Sequence, residues 1–443
     1  MIALEEPARK TAIYGEYDVV VLGGGPAGIA AASAAARHGK KTILIERYGF
    51  LGGMGTAAGV TNFCGLHANV FGEHTQIVQG IAADFLARID ALGGLNKPHV
   101  VFGKILAQAY DTAAYKIAAD QIVIASGAQL LFHALAVGVV MADQNSVHAL
   151  LIETKSGRRA IIGHTFIDAS GDGDLAAWAG APFDKGDGHG NMLYPSMMFR
   201  LNGIDPIKAG NAWEVIPQLM LKAQAQGRYQ FPRKTPIVRP QKNPAEWRVN
   251  LTQLANKNGM AMDGTHLQEL SDAEILGREQ IANVAGFLNE VPGFENAYVV
   301  DIPPQVGIRE TRRIMGDYQL TEPDVLGCAS FNDSIGLNGW PLELHTAGDV
   351  EFRWPPIPQS RGYNQLPYRM LLPLGLNNVW VAGRCASMSH EAQSAARVSG
   401  ACFVMGEAAG VAATMAMGGG VSSRHINVLQ LLSTLRQQGV RLE

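Results

Sequence analysis

Tyr17-Asp18-Val19-Val20-Val21-Leu22-Gly23-Gly24-Gly25-Pro26-Ala27-Gly28 runs an apolar, β-branched segment into a glycine turn, and an alanine-rich stretch continues to Gly39. A strand entering a glycine turn that opens a helix is the sequence form of a dinucleotide-binding βαβ unit. The glycines serve separate purposes. Gly23 permits the tight turn, Gly25 lets the backbone approach a pyrophosphate, and Gly28 lets the helix pack close to the strand. Pro26 suits the first helical turn, where its missing N–H has no partner to lose. The free N–H groups and the dipole of that helix end then face phosphate. Lys41-Thr42-Ile43-Leu44-Ile45 reads as a second buried strand ending on Glu46, 18 positions beyond Gly28. A carboxylate there accepts both ribose hydroxyls of an adenosine and repels a 2′-phosphate.

At 443 residues the chain is long for one simple core, and two domains are expected. Hydrophobic residues make up 47% and charged residues 17%, an ordinary globular balance. A net charge of −3 gives no basic footprint for nucleic acid. Cys64, Cys328, Cys385 and Cys402 are scattered without ligand-like spacing, so neither a disulfide framework nor a metal site is expected. Met1–Glu16 lacks the apolar core of a signal peptide, which makes the cytoplasm the expected location. The apolar run 401–417 carries Glu407 and several glycines and reads as a buried helix rather than a membrane span.

Glycines crowd the segment after Glu46, from Gly49 through Gly52, Gly53 and Gly55 to Gly59, as a backbone passing very close to a ligand requires. Apolar residues at helical spacing predict helices near 80–92 and 103–120. Short β-rich runs follow from Gln129 to Asp168. Phe166 to Ala176 repeats the strand-to-small-residue-to-helix pattern, and Asp172 and Asp174 read as helix-capping and loop-ordering groups rather than metal ligands. Between about Phe183 and Tyr363 prolines, aromatics and arginines increase, and no second nucleotide-binding unit occurs. Within it, Ser271-Asp272-Ala273-Glu274 reads as a capping box opening a helix to about Asn289. Arg309, Arg312 and Arg313 flank Glu310; they fit either an ion-pair network joining two domains or recognition of a carboxylate. The final unit, Val379 to Arg384, is a buried strand ending in Gly383, followed by a helix expected from Ser394 to Met417. His390, just before it, is a candidate proton donor or a structural hydrogen-bonding group.

Taken together, these segments resemble the FAD-dependent oxidoreductases whose Rossmann-type cofactor domain is interrupted by a substrate domain, within the broad glutathione-reductase-like class. The resemblance rests on Gly23-x-Gly25-x-x-Gly28, Glu46 with Leu51-Gly52-Gly53, Asp168 to Asp174, Gly307 to Arg313, and Val381 to Arg384 through His390 and Arg397 to Gly410. It implies an α/β fold in which residues 1–183 and 364–443 form a Rossmann-like FAD-binding domain and residues 184–363 an inserted α+β substrate domain. It also implies that Gly23, Gly25, Pro26, Ala27, Gly28, Glu46 and Arg47 hold the ADP half of FAD. Gly52, Gly53, Met54, Ser170, Gly171 and Asp172 would line the cofactor, with Gly383, Arg384, Arg397 and Gly400 at the flavin ring.

The chain lacks the redox C-x-x-x-x-C of disulfide reductases, and its last strand ends Gly383-Arg384 where aromatic hydroxylases have Gly-Asp. The expected function is hydride exchange between FAD and a small organic substrate, an anionic one if the arginines of 309–313 recognise a carboxylate. An unidentified electron donor or acceptor completes the cycle, and His390, Arg309 and Arg312 are the catalytic candidates. An oxygen-using monooxygenase or oxidase is the enzymatic alternative, and a non-catalytic dinucleotide sensor the other. No pattern selects among His67, His345 and Cys64 as further groups near the ring.

Overall fold

In the computed structural model, which describes residues 4–443, the opening motif forms strand β1 (Ala12–Leu22), helix α1 (Pro26–Arg37) and strand β2 (Thr42–Ile45). Strand β3 (Gln129–Leu131) pairs with β2, and the antiparallel strands β4 (Leu135–Met141) and β5 (Val147–Glu153) lead into β6 (Arg159–Asp168). The parallel order is β3-β2-β1-β6, and a last strand, β7 (Val379–Val381), pairs with Phe166–Asp168 at the upper end of β6. Val19–Val21 and Ile43–Ile45 are fully buried, because both faces of a parallel sheet are covered. The carboxyl ends of β1, β2, β6 and β7 therefore open on one edge, where ligands of such sheets bind.

Helices α2 (His390–Ala396) and α3 (Ser399–Gly419) follow β7. The sequence predicts one helix from Ser394. The chain instead starts earlier, capped by Ser389 on Ala392 N–H at 3.2 Å, and breaks at Val398, where Gly400 N–H donates to Cys64 O at 3.0 Å. Helix α3 lies in backbone contact with α1: a Cβ on Gly406 would stand 2.0 Å from Ala27 O, and one on Gly410 2.4 Å from Ala31 O. By length and composition α3 is apolar enough to cross a membrane, yet 89% of its most apolar window is buried within the protein.

Glu407 on α3, 3% exposed, accepts Ile81 N–H at 3.0 Å and so caps helix Ile81–Ala91 from another element. Burial pushes its pKa up to about 7 despite that bond and Arg37. The folded state therefore favours the protonated acid. Its contribution to stability is complete below the ordinary carboxyl pKa and is lost as pH rises through about 7. Thermal unfolding of Glu407→Gln and the parent across pH 4.5 to 7 should differ in slope, the parent losing roughly 3 kcal/mol that the variant keeps.

Two other expectations change. Residues 103–120 are not one helix: Ile105–Ala109 is a strand pairing with Asn62–Phe63 and His99–Val101, and the helix Thr112–Ser126 begins at Asp111, whose carboxylate accepts Ala114 N–H at 2.8 Å. Alternating small and apolar residues in 105–109 fill a sheet as well as a helix face. Ser271 opens no helix; Leu267–Leu288 starts at His266, and Ser271 donates back to Leu267 O at 3.0 Å.

A second core runs from Met197 to Ile308 around a four-stranded antiparallel sheet, in the order Ile237–Pro240, Trp247–Asn250, Phe199–Asn202, Tyr298–Asp301. Helices Ala212–Ala225 and Leu267–Leu288 supply its other layer. This core is shorter than the insert expected at 184–363. Ile314, Ile335, Leu337 and Leu342 join the first core instead, because the strand Ser334–Asn338 pairs with Asn364–Pro367 against α3.

Candidate active site

One cavity of about 1080 Å³ runs along the carboxyl edge of the parallel sheet and on to the antiparallel sheet of the second core. It is at the upper end of volumes that enclose small ligands. Gly23, Gly25, Pro26, Ala27, Glu46, Arg47, Gly53, Met54, Ser170, Gly171, Gly383, Arg384 and Arg397 all line it, so the spaced motifs converge on one space. Gly28, Gly52, Asp172 and Gly400 stand one layer behind. A Cβ on Gly28 would lie 1.8 Å from Gly23 O, and one on Gly400 2.3 Å from Gly65 O, so each allows two backbones to touch.

The residues fit an adenine dinucleotide. Helix α1 has Gly25 at its N-cap with extended backbone and no side-chain cap, leaving its first N–H groups to the cavity. Gly53 abuts Gly25: a Cβ on it would come within 2.9 Å of the Gly25 Cα, so two glycine loops make a side-chain-free cradle. Glu46 is 6% exposed and accepts Gly24 N–H at 2.8 Å and Tyr48 N–H at 3.0 Å, which fixes its carboxylate at the end of β2. Burial raises its pKa, against the pull of those two bonds and Arg47.

Asp168, rather than Asp172 or Asp174, orders the turn after β6, accepting Ser170 N–H at 3.1 Å, Ser170 O–H at 2.6 Å and Ala176 N–H at 2.9 Å. Asp172 is committed to Arg384 at 2.9 Å and Thr311 at 2.8 Å. Burial opposes its charge, but Arg384 and the Thr311 bond prevail and lower its pKa. Arg312 also departs from its expected role: it is tied to Asp174 and to Asp172 O and does not line the cavity. Arg313 pairs with Glu310 and donates to Met388 O and Gly186 O. His390 is likewise outside the lining, with Nδ1 2.9 Å from Glu310. These three side chains act as struts, because the carboxylates of this region are already shared among them. Of the three catalytic candidates only Arg309 reaches the cavity, with Nη1 donating to Tyr194 O at 2.7 Å.

On the rest of this wall, sequence reasoning left His345 and Cys64 unselected and missed Glu343, Trp340 and Arg248. Glu343 and His345, on strand Leu342–Thr346, line the cavity with Cys64, Trp340 and Arg248. Glu343 accepts from His345 Nε2 at 3.0 Å and from Trp340 Nε1 at 2.8 Å. Burial works against its charge, but His345, Arg397 and Trp340 outweigh it and hold its pKa at about 2. Burial, with Arg309 beside it, takes the His345 pKa well below the usual histidine range in spite of Glu343. His345 is thus neutral at pH 7. Its Nε2–H is spent on Glu343, and Nδ1 keeps a lone pair. Burial pushes the Cys64 thiol up to about 12, so it stays protonated and is no nucleophile. The only sequence signal for Glu343-x-His345 is its period of two, which puts both on one face of a strand.

A family profile described as FAD dependent oxidoreductase matches residues 18–436. The chain belongs to the FAD-dependent oxidoreductase family. It is accordingly an FAD-dependent enzyme, and the cradle just described is where FAD fits this protein. Short stretches are also similar to dihydrolipoyl dehydrogenase of Trypanosoma brucei brucei, 56% identical over 41 residues, and to the mitochondrial dihydrolipoyl dehydrogenase of Schizosaccharomyces pombe, 56% over 46 residues. The match spans 9% of the length of each of those relatives and 9% and 10% of this chain. Among solved structures, a geranylgeranyl bacteriochlorophyll reductase-like protein of Thermoplasma acidophilum is similar at 13% identity and a TM-score of 0.48, over 96% of this chain and 83% of that one. The p-nitrophenol 4-monooxygenase of Pseudomonas putida is similar at 12% identity and a TM-score of 0.47, over 95% and 84%.

Proposed function

We propose that this FAD-dependent oxidoreductase exchanges a hydride with a small anionic organic substrate seated between the cofactor cradle and the second sheet. One observation carries the reading. Arg239, Arg248, Arg200 and Asp301 stand directly opposite one another across the antiparallel sheet, making a row of three arginines. Like charges facing each other across strands are destabilising. Arg200, outside the cavity, is neutralised by Glu246 at 2.8 Å and Asp301 at 3.1 Å. Arg239 and Arg248 line the cavity, and neither has a carboxylate partner among the described residues. Arg248 is 6% exposed, donates only to Val60 O and the Asn62 amide oxygen, and keeps Nε unpaired. Burial, then the neighbouring Arg248, lowers the Arg239 pKa to about 10. A substrate anion supplies the missing charge.

Bound FAD supplies the two-electron redox step. The chain's own part is to orient the anion through guanidinium forks, exclude water, and accept a proton. Removing a hydride from a carbon that bears O–H or N–H releases a proton, and His345 Nδ1 is the base that takes it: burial and Arg309 keep the ring neutral, and Glu343 fixes its tautomer through Nε2. Arg248→Gln should raise the KM for substrate, or weaken inhibition by simple carboxylates, by tenfold or more while flavin content stays unchanged. Unchanged carboxylate inhibition in a fully loaded variant removes the anionic reading.

A further inference from the structure

Resting on that reading, we infer that the substrate carries two separated acidic groups, a dicarboxylate, and that a second guanidinium pair, Arg309 with Arg397, holds the end that Arg239 and Arg248 do not reach. Four arginines, Arg233, Arg248, Arg309 and Arg397, all act electrostatically on one carboxylate, Glu343. Glu343 has one hydrogen-bonding oxygen committed to His345 and the other to Trp340, so it hydrogen-bonds to none of the four. Arg397 lines the cavity while its Nε and Nη2 have no partner among the described residues. Arg309, 6% exposed, has a single side-chain bond among the described residues, to Tyr194 O. Arg233, 1% exposed behind Asn250, donates Nη1 to it at 3.0 Å and leaves Nε and Nη2 unpaired.

Unsatisfied buried guanidinium groups are costly, and a single substrate carboxylate bonded between Arg239 and Arg248 leaves this second group without hydrogen-bonded carboxylate partners, its charge offset mainly by the shared Glu343. The two pairs come from different parts of the fold. Arg239 and Arg248 lie on the second sheet, whereas Arg397 sits between α2 and α3 beside the cofactor cradle. Arg248 and Arg397 both act on Glu343 and Cys64, so it is Arg239 and Arg397 that set the span, and a ligand answering both of these carries a carboxylate at each end. A compact dianion such as phosphate meets only one.

Isothermal titration of the flavin-loaded enzyme with malonate, succinate, glutarate, adipate, butyrate and inorganic phosphate tests this, with the flavin absorbance spectrum followed in parallel. The expected result is that at least one dicarboxylate binds tenfold or more tighter than butyrate and than phosphate, and that Arg239→Gln and Arg397→Gln each erase that margin. Arg239 is partly exposed, so its variant keeps the test valid should the buried Arg397 variant lose flavin. Equal affinity for butyrate and dicarboxylates overturns the two-ended substrate and leaves the anionic reading standing. Phosphate binding as tightly as any dicarboxylate overturns it in favour of a single polyanion site. Absence of binding by every anion overturns both readings.

Discussion

Gly28→Ala should purify without bound flavin. The added Cβ would lie 1.8 Å from Gly23 O and 2.9 Å from the Gly23 carbonyl carbon, and the obstacle is backbone, which no rotamer change relieves. Gly23 has nowhere to go. Its φ is +98°, and its own missing Cβ is replaced by Ala169 O at 2.4 Å on the β6 side. To accept the methyl group, the turn or the start of α1 must shift, which carries the free N–H groups of the helix away from the phosphates they serve. The far-UV circular dichroism of the variant should stay near that of the parent, while the flavin-to-protein absorbance ratio falls close to zero. Gly418→Ala, where nothing lies within 4 Å of the new atom, should keep full flavin and serves as control. A Gly28→Ala enzyme that retained stoichiometric flavin would falsify the close-packed turn.

The second large effect is expected at Glu343. Its side chain, 13% exposed, is the one carboxylate that offsets Arg233, Arg248, Arg309 and Arg397 together. Glu343→Ala strips that charge, frees the Trp340 N–H, and leaves His345 without the group that sets its tautomer. Removing one partner of a buried charged group costs about 3–5 kcal/mol. A denaturant titration should show the unfolding midpoint drop accordingly, and turnover should fall with it. Glu343→Gln, which keeps an acceptor and the side-chain shape, should recover part of the stability but not the pull on the arginines. An unmoved midpoint in the alanine variant means that the cluster is not short of negative charge.

These expectations differ in how far they were visible before the fold. The cradle was legible because its signal is local: Gly23, Gly25, Gly28 and Glu46 lie within one βαβ unit, where spacing alone dictates conformation. Gly383 and Arg384 were legible for the same reason, as a buried strand ending in a turn. The substrate wall was not. Arg239 and Arg248 become neighbours only through strand pairing, and Glu343 meets Arg397 and Arg233 only through tertiary packing, so no window of sequence contains the cluster. Proximity to a helix start made His390 conspicuous, and three clustered arginines the 309–313 run, but carboxylates from Asp174 and Glu310 claim Arg312, Arg313 and His390. Helix boundaries failed where a polar side chain offered two roles. Ser271 carries the residue type of a cap but sits within the helix, bonded back to Leu267 O.

The backbone seat of Gly406 and Gly410 on Ala27 and Ala31 has a consequence for biosynthesis. Helix α1 emerges from the ribosome almost a whole chain length before α3, its packing partner, and β6 likewise waits for β7. Contacts of such high sequence separation form late and slowly. The nascent chain therefore carries an apolar, alanine-rich helix covered only in part, by β1, β2 and the helices Ile81–Ala91 and Thr112–Ser126, through most of its synthesis, a condition that favours association with other chains and puts a premium on chaperones. Flavin loading, which needs the strand ends and the α1 terminus in register, becomes one of the last events in the making of the enzyme.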